Sequence, residues 1–375
     1  MVSHSLYLVV SFVISLICGL VFIPVIVSFC IKKKLYDIPN ARKIHKTVVP
    51  RLGGACFMPC MILSFLLAMA AFSNTPNCLK VGINVWTLYF FIGMLCVYAA
   101  GLIDDLVGLK PKTKFLVQIF SVALLPTVDL YINNLYGFCG IHEIPLWVGA
   151  PLTVFVIVFI VNAMNLIDGI DGLSSSLSMV ALFGFLICFV REGMWVYGIL
   201  IAGLMGVLLA FMYYNVFGKV GKTKIFMGDS GSLTIGFILG VLFVKFSMNC
   251  PHLLPYHADR MLLAYSLLIV PVYDVVRVIL VRMFHRRPIF GADKNHIHHK
   301  LMRAGLMQHK ALVAIVSISV FFIAMNILLY NWISFTTIVV VNILVWIGMH
   351  EVINQMIRRR GNEVFCINTD SEQNS

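Results

Sequence analysis

The sequence predicts an all-α protein, a polytopic integral membrane helix bundle, and three observations carry that expectation. Hydrophobic residues fill 60% of 375 positions and charged residues only 12%, with a mean hydropathy of +0.95. A spanning helix needs about 20 predominantly apolar residues, and the chain offers about 11 such stretches. Basic residues crowd into alternate connections, as membrane orientation requires. No soluble domain, linker or internal repeat interrupts the pattern, so residues 1–375 are expected to form one polytopic domain.

The stretches run roughly through 5–30, 53–73, 84–103, 113–129, 148–166, 172–190, 195–214, 231–249, 261–283, 311–330 and 333–352. Lysines follow the first stretch instead of preceding it, and no small-residue cleavage pattern is evident, so it reads as a retained helix and not a signal peptide. One set of connections carries Lys32, Lys33, Lys34, Arg42, Lys43, Lys46 and Arg51, then Lys110, Lys112 and Lys114, then Lys219, Lys222 and Lys224, then 286–310 and 358–360. The alternate connections hold only Lys80, Arg191 and Arg260. With an odd number of spans, this asymmetry puts the N-terminus outside and the C-terminus in the cytoplasm. The net charge of +12 is therefore local to one face. Basic loops recurring at topological intervals without interleaved aromatics argue against nucleic acid as a partner. Lys245, near the outer end of the eighth span, is expected to snorkel to the interface.

Ten cysteines form no disulfide framework and no CxxC zinc spacing. Cys18, Cys30, Cys56, Cys60, Cys96 and Cys188 lie in or beside apolar spans, where a thiol behaves as a small hydrophobe. Cys78, Cys139 and Cys250 fall in outer connections, where an oxidising compartment permits a pair that sequence does not choose.

The clue to function is that Asp104, Asp105, Asp168, Asp171 and Asp229 all fall at predicted helix ends or short connections on the basic face. Carboxylates at the bilayer edge carry a desolvation cost unless a cation, a donor or water compensates it. Acids arriving from three connections point to a metal ion holding phosphates. In residues 101–109, GLIDDLVGL, the adjacent Asp104 and Asp105 repel and face Lys110, Lys112 and Lys114. Such a pair suits proton transfer or phosphate chemistry; a solvated helix end is the plain alternative. Residues 162–173, NAMNLIDGIDGL, offer the amides Asn162 and Asn165 with Asp168 and Asp171, oxygen donors suited to hard cations such as magnesium. Asp171 as a cap of the sixth helix is the alternative there.

Residues 226–232, FMGDSGS, bring Asp229 to a helix start, where backbone N–H groups attract phosphate, Asp229 can take a metal and Phe226 can stack on a base. N-capping by Asp229 or Ser230 is the bland alternative. Between the ninth and tenth spans, His296, His298 and His299 sit among Arg286, Arg287, Lys294, Lys300 and Arg303. They lack the spacing of zinc helices, so anion recognition is the better reading. Asp274 and Arg277, at i and i+3 in the ninth span, read as a self-neutralising pair. A secondary transporter would place its polar groups near the midplane in symmetric halves, which this sequence does not do.

These motifs, in this order and with DIPNARKIHKTVVPRLGG at 37–54, resemble the polyprenyl-phosphate N-acetylhexosamine-1-phosphate transferases over nearly the whole chain. HIHH at 296–299 and PRLGG at 50–54 are similar to the WecA/TagO-like branch, which uses UDP-N-acetylglucosamine, more than to the MraY branch, which transfers phospho-N-acetylmuramoyl-pentapeptide. The resemblance implies transfer of a sugar 1-phosphate from a UDP-N-acetylhexosamine to polyprenyl phosphate, releasing UMP, at the cytoplasmic face of a bacterial inner membrane. It implies Mg2+ as cofactor, with Mn2+ as a substitute, and a homodimer. By position it implies Asp229 and Asn165 as metal ligands, Asp104 and Asp105 beside the attacking phosphate, and Lys114 on the reacting phosphates. It likewise implies Asp168 and Asp171 near the nucleotide, Phe226 on uracil, and His296, His298 and His299 near the diphosphate; the cationic Arg303 joins this substrate-binding group. The extended DDxxD form would need an acid at Gly108, so that position receives no role.

Overall fold

The computed structural model describes residues 4–37, 48–73, 79, 84–249, 257, 259–288 and 294–365. Arg42, Lys43, Lys46, Lys80, Cys78 and Cys250 lie outside these residues. The chain runs through α1 (His4–Lys33), α2 (Phe57–Ala71), α3 (Val85–Val107), α4 (Pro111–Ala123), α5 (Leu146–Ile167), α6 (Leu173–Arg191) and α7 (Trp195–Phe217). It continues through α8 (Gly228–Ser247), α9 (Arg260–Leu267), α10 (Ile269–Phe284), α11 (Ile297–Arg303), α12 (Gln308–Leu329) and α13 (Phe335–Arg359). Two small antiparallel pairs accompany them, β1 (Tyr36–Asp37) with β2 (Val49–Pro50), and β3 (Asn134–Phe138) with β4 (Ile141–Glu143). The all-α membrane architecture expected from the sequence is what the structure shows.

Among the described residues, nine helices are long and apolar enough to cross a membrane. The other two expected spans are helical but shorter. α4 starts on Pro111, a residue pre-set for a first helical turn, and gives way to a 3-10 turn at Pro126–Val128. The ninth stretch breaks at Leu268 into α9 and α10, with Pro271 in the first turn of α10, where its missing N–H is tolerated.

α8 is the axis of the bundle, with α3, α5, α6 and α9 packed around it, and every residue from Ser230 to Ser247 is buried. Small residues make that possible. A Cβ on Gly236 would lie 2.7 Å from Val161 Cα, and one on Gly240 would lie 2.8 Å from Ile157 Cγ2, so α5 rests almost on the α8 backbone. In a bilayer such close van der Waals packing does the work that hydrophobic burial does in water. The same device joins α1 to α7, where buried Ser11, Ser15 and Gly19, spaced four apart, meet Gly203, Gly206 and Ala210. The opposite face of α1, with Val9, Val13, Ile17, Val21 and Val25, is exposed and suits lipid.

Lys245 does not snorkel. It is 7% exposed on α8, with Nζ 5.0 Å from the Trp86 ring centroid, so an aromatic face compensates the ammonium within the bundle. The β3–β4 hairpin was not anticipated; it turns at Cys139 and Gly140, both at positive φ, and Cys139 is an exposed free thiol.

Candidate active site

The site is built where α3 ends and α8 begins. Asp105, 4% exposed in the last turn of α3, accepts the N–H of Asp229 on Oδ1 at 2.8 Å and that of Ser230 on Oδ2 at 2.9 Å. The first N–H groups of a helix have no partner within it, and a carboxylate there also meets the positive end of the helix dipole. The cap of α8 thus comes from another helix, not from Asp229 or Ser230. Those two N–H groups, expected to face a phosphate, are committed to Asp105. The junction has no room for side chains. Gly228 has φ +73°, and a Cβ there would lie 2.0 Å from Arg51 O and 2.5 Å from Asp105 Oδ2. A Cβ on Gly101 would lie 2.6 Å from Asp229 O.

Lys114 and Asn165 converge on Asp229, and Lys114 brings Asp104 with it. Lys114 Nζ, from the first turn of α4, donates to Asp229 Oδ2 at 2.7 Å and to Asp104 Oδ2 at 3.2 Å. Asp104 Oδ1 is held by the Leu109 N–H at 2.6 Å, so its second oxygen is aimed at the lysine. Asn165, near the end of α5, donates its amide to Asp229 Oδ1 at 3.1 Å and to Ser232 Oγ at 2.8 Å. Asp104, Asp105 and Asp229 each offer a carboxylate oxygen, and these oxygens lie within 4.8 Å of one another, a spacing that could hold a metal ion. The oxygen donors and their separation suit a hard divalent cation. Lys114 now balances the charge that such a cation would balance.

The turn after α5 supplies the next two acids. Burial, reinforced by the negative charges of Asp229, Asp171 and Asp105, pushes the Asp168 carboxyl up to about 7. Asp168 therefore feels the same cluster, and all five acids singled out from sequence are electrostatically linked. Asp171 does not cap α6, whose N-cap is Gly172. Its Oδ2 pairs with Lys224 Nζ at 2.6 Å, and its Oδ1 is buried without a partner, an acceptor fitted for a ligand N–H or O–H.

The histidine segment closes this side. His298 is 1% exposed and presses on the turn, so that a Cβ on Gly169 would lie 2.1 Å from His298 Nε2. Desolvation holds His298 well below the ordinary imidazole range and, with the neighbouring charges of His296 and Arg303, lowers His299 to about 4. At neutral pH both rings act as uncharged donors and acceptors, not as cations. Arg303 donates to Asn295 Oδ1 at 3.2 Å. Phe226 is half-buried, with its N–H donated to Pro50 O at 2.7 Å.

Arg51 is a contributor that charge reading alone assigned only to topology. Its guanidinium donates to the carbonyl oxygens of Asp104 at 3.1 Å and Asp105 at 2.9 and 3.1 Å. Its neighbours Gly53 and Gly54 donate to the carbonyls of Phe226 and Met227 at 2.9 and 2.7 Å. The PRLGG segment therefore clamps both acid-bearing motifs together. The signal was in the sequence, as two glycines beside an arginine, although nothing there named their partner. Asn215, which accepts from Gly172 N–H and donates to Ile225 O, was missed inside an apolar span.

Spanning helices whose ends converge on paired carboxylates, a lysine and an amide define an integral membrane enzyme of the phosphotransferase kind. The chain belongs to glycosyl transferase family 4, the description of the family that residues 87–247 match. It is 31% identical over 326 residues to a Bacillus subtilis (strain 168) protein named as a probable undecaprenyl-phosphate N-acetylglucosaminyl 1-phosphate transferase, covering 85% of this chain and 84% of that one. It is 30% identical to a decaprenyl-phosphate N-acetylglucosaminephosphotransferase of Mycobacterium leprae (strain TN), covering 86% and 84%. An undecaprenyl-phosphate alpha-N-acetylglucosaminyl 1-phosphate transferase of Yersinia pestis is 28% identical, covering 76% and 74%.

Proposed function

We propose that this enzyme transfers N-acetylglucosamine 1-phosphate from UDP-N-acetylglucosamine to a polyprenyl phosphate such as undecaprenyl phosphate, the opening step of a cell-surface glycan. An oxygen of the lipid phosphate attacks the sugar-bearing phosphorus. The bond from that phosphorus to the bridging oxygen breaks, and UMP leaves. The observation that carries the reading is the meeting of Asp104, Asp105 and Asp229 with Lys114 and Asn165 at one helix junction. Three relatives named for this chemistry support it.

Attack on a diphosphate requires several negative charges to be balanced and the attacking and leaving oxygens to be aligned. Magnesium, or manganese in its place, would be held by Asp229 and Asn165 beside the other two acids and would polarise the donor phosphates. Lys114, already between Asp104 and Asp229, carries its charge onto the reacting phosphates when substrate enters. Asp105 keeps the start of α8 in register with α3. The acceptor phosphate has a second pKa near ~6, so at neutral pH it is mostly ready to attack, and Asp104 assists without being required as a base. Asp168 and Asp171 receive the nucleotide, Phe226 stacks on uracil, and His296, His299 and Arg303 line the diphosphate, with His298 seating the 168–171 turn.

The crowding of basic residues into alternate connections supports a site at the cytoplasmic face of a bacterial inner membrane with the N-terminus outside, and we take the whole chain as one polytopic domain working as a homodimer. The test is release of UMP by purified protein given UDP-N-acetylglucosamine and polyprenyl phosphate, with magnesium supplied or withheld. Asp229→Asn is expected to abolish magnesium-dependent turnover while leaving the protein folded. Wild-type turnover by that variant at saturating magnesium overturns the assignment.

A further inference from the structure

α10 carries an acid, Asp274, that is 0% exposed and does more than neutralise its neighbour. Arg277 donates to Asp274 Oδ1 at 2.9 Å, as the i, i+3 spacing suggests. The same Oδ1 accepts the Ile297 N–H at 2.9 Å, and Oδ2 meets His296 Nδ1 at 2.8 Å. Arg277 in turn donates to the carbonyl of Asn295. One carboxylate and its arginine therefore grip three consecutive residues at the entry to α11. A buried ion pair is a poor way to gain stability, because desolvation offsets its attraction and an apolar pair would serve as well. What an apolar pair could not do is hold a histidine ring and two backbone groups in one place.

The grip has a direction. A carboxylate on Nδ1 fixes the proton there and leaves Nε2 as the nitrogen that can meet another group. The His296 ring lies parallel to that of His298, at an interplanar angle of 5° with centroids 5.9 Å apart. His298 presses on Gly169, between Asp168 and Asp171. The seat of His296 thus sets where the histidine segment meets the acid turn.

We propose that Asp274, supported by Arg277, is a positioning residue for the transfer, locking His296 with its proton on Nδ1 and seating residues 295–298 against the 168–171 turn without touching substrate. The inference rests on the reaction assigned above. Asp274→Asn is expected to lower UMP release about 10- to 100-fold, taking the loss of an outer partner of a metal-bound histidine as the scale, with the melting midpoint near that of wild type. In a His296→Ala background the same substitution should cost several-fold less than it does in wild type, since the part of its effect that passes through that ring is already lost. Losses that multiply fully in the double variant, or unchanged turnover in Asp274→Asn, overturn the proposal.

A second readout does not depend on turnover or on the variant folding. The histidine 15N spectrum of the wild-type protein should show His296 with a proton fixed on Nδ1, and an Nδ1 without a proton, or rapid exchange of the proton between the two nitrogens, overturns the proposal. A wild-type protein that releases no UMP refutes the reaction, while that spectrum still decides the seat of His296.

Discussion

Replacing Gly101 by alanine tests whether the contact between α3 and α8 sets the reaction geometry. The added Cβ would lie 2.6 Å from Asp229 O, 2.7 Å from Ser230 Cα and 2.7 Å from Ser230 N, against 3.4 Å or more for an ordinary contact. A deficit of about 0.8 Å must be found, and all three obstructing atoms are backbone, so no side chain can swing aside. The helices must part at the point where Asp105 holds the Asp229 and Ser230 N–H groups. Overpacking of this sort costs about 1–3 kcal/mol. A displacement approaching 1 Å between reacting groups costs on the order of 100-fold in rate. Gly101→Ala is therefore expected to lower UMP release by about that factor and the detergent melting midpoint by a few degrees. Gly348→Ala is the control, because that position in α13 has nothing within 4 Å and should tolerate the methyl in both assays. Wild-type turnover and an unchanged midpoint in Gly101→Ala would refute the packing argument.

Two other outcomes follow from the same site. Asp168 titrates near 7 in the folded protein against an ordinary value near ~4, so its ionisation opposes folding progressively as pH rises between these values, by at most ~4 kcal/mol. Asp168→Asn, without metal or nucleotide, should melt higher than wild type at pH 8 and lose that advantage toward pH 4; a difference independent of pH would contradict the burial argument. Arg51→Lys keeps the charge but loses the forked donation to the Asp104 and Asp105 carbonyls, and should lower kcat at least tenfold, from about 1.5 kcal/mol of charge-assisted hydrogen bonding, with little change in donor KM. A KM effect alone would assign Arg51 to substrate binding instead.

Much of this protein was legible before its structure. Spans follow from hydropathy because a bilayer leaves the backbone few options, and the acid motifs are legible because charge at a membrane edge needs compensation. Asp104, Asp105, Asp229, Lys114 and Asn165 do meet, as their clustering at helix ends suggested. Partnerships across long separations were not legible. That Asp105 caps α8, that Lys224 holds Asp171, and that Arg51 ties α3 to the Phe226 turn depend on how helices are rotated and staggered, which hydropathy does not encode. The break at Leu268 escaped because Pro271 looks harmless inside an apolar run. The β3–β4 hairpin escaped because its turn uses Cys139 at positive φ, where a sequence reader looks for Asn or Asp before the glycine.

Asp229 heads a helix that touches no lipid along its buried length. Bilayers differ in thickness and chain order, and a spanning protein adjusts by tilting whichever helices border the hydrocarbon. Here that adjustment falls on the peripheral helices such as α1, whose valine and isoleucine face is open to the surroundings. The carboxylate proposed to hold the metal is thereby carried on an element insulated from membrane composition, so lipid remodelling by the host reaches it only through the helices packed around α8.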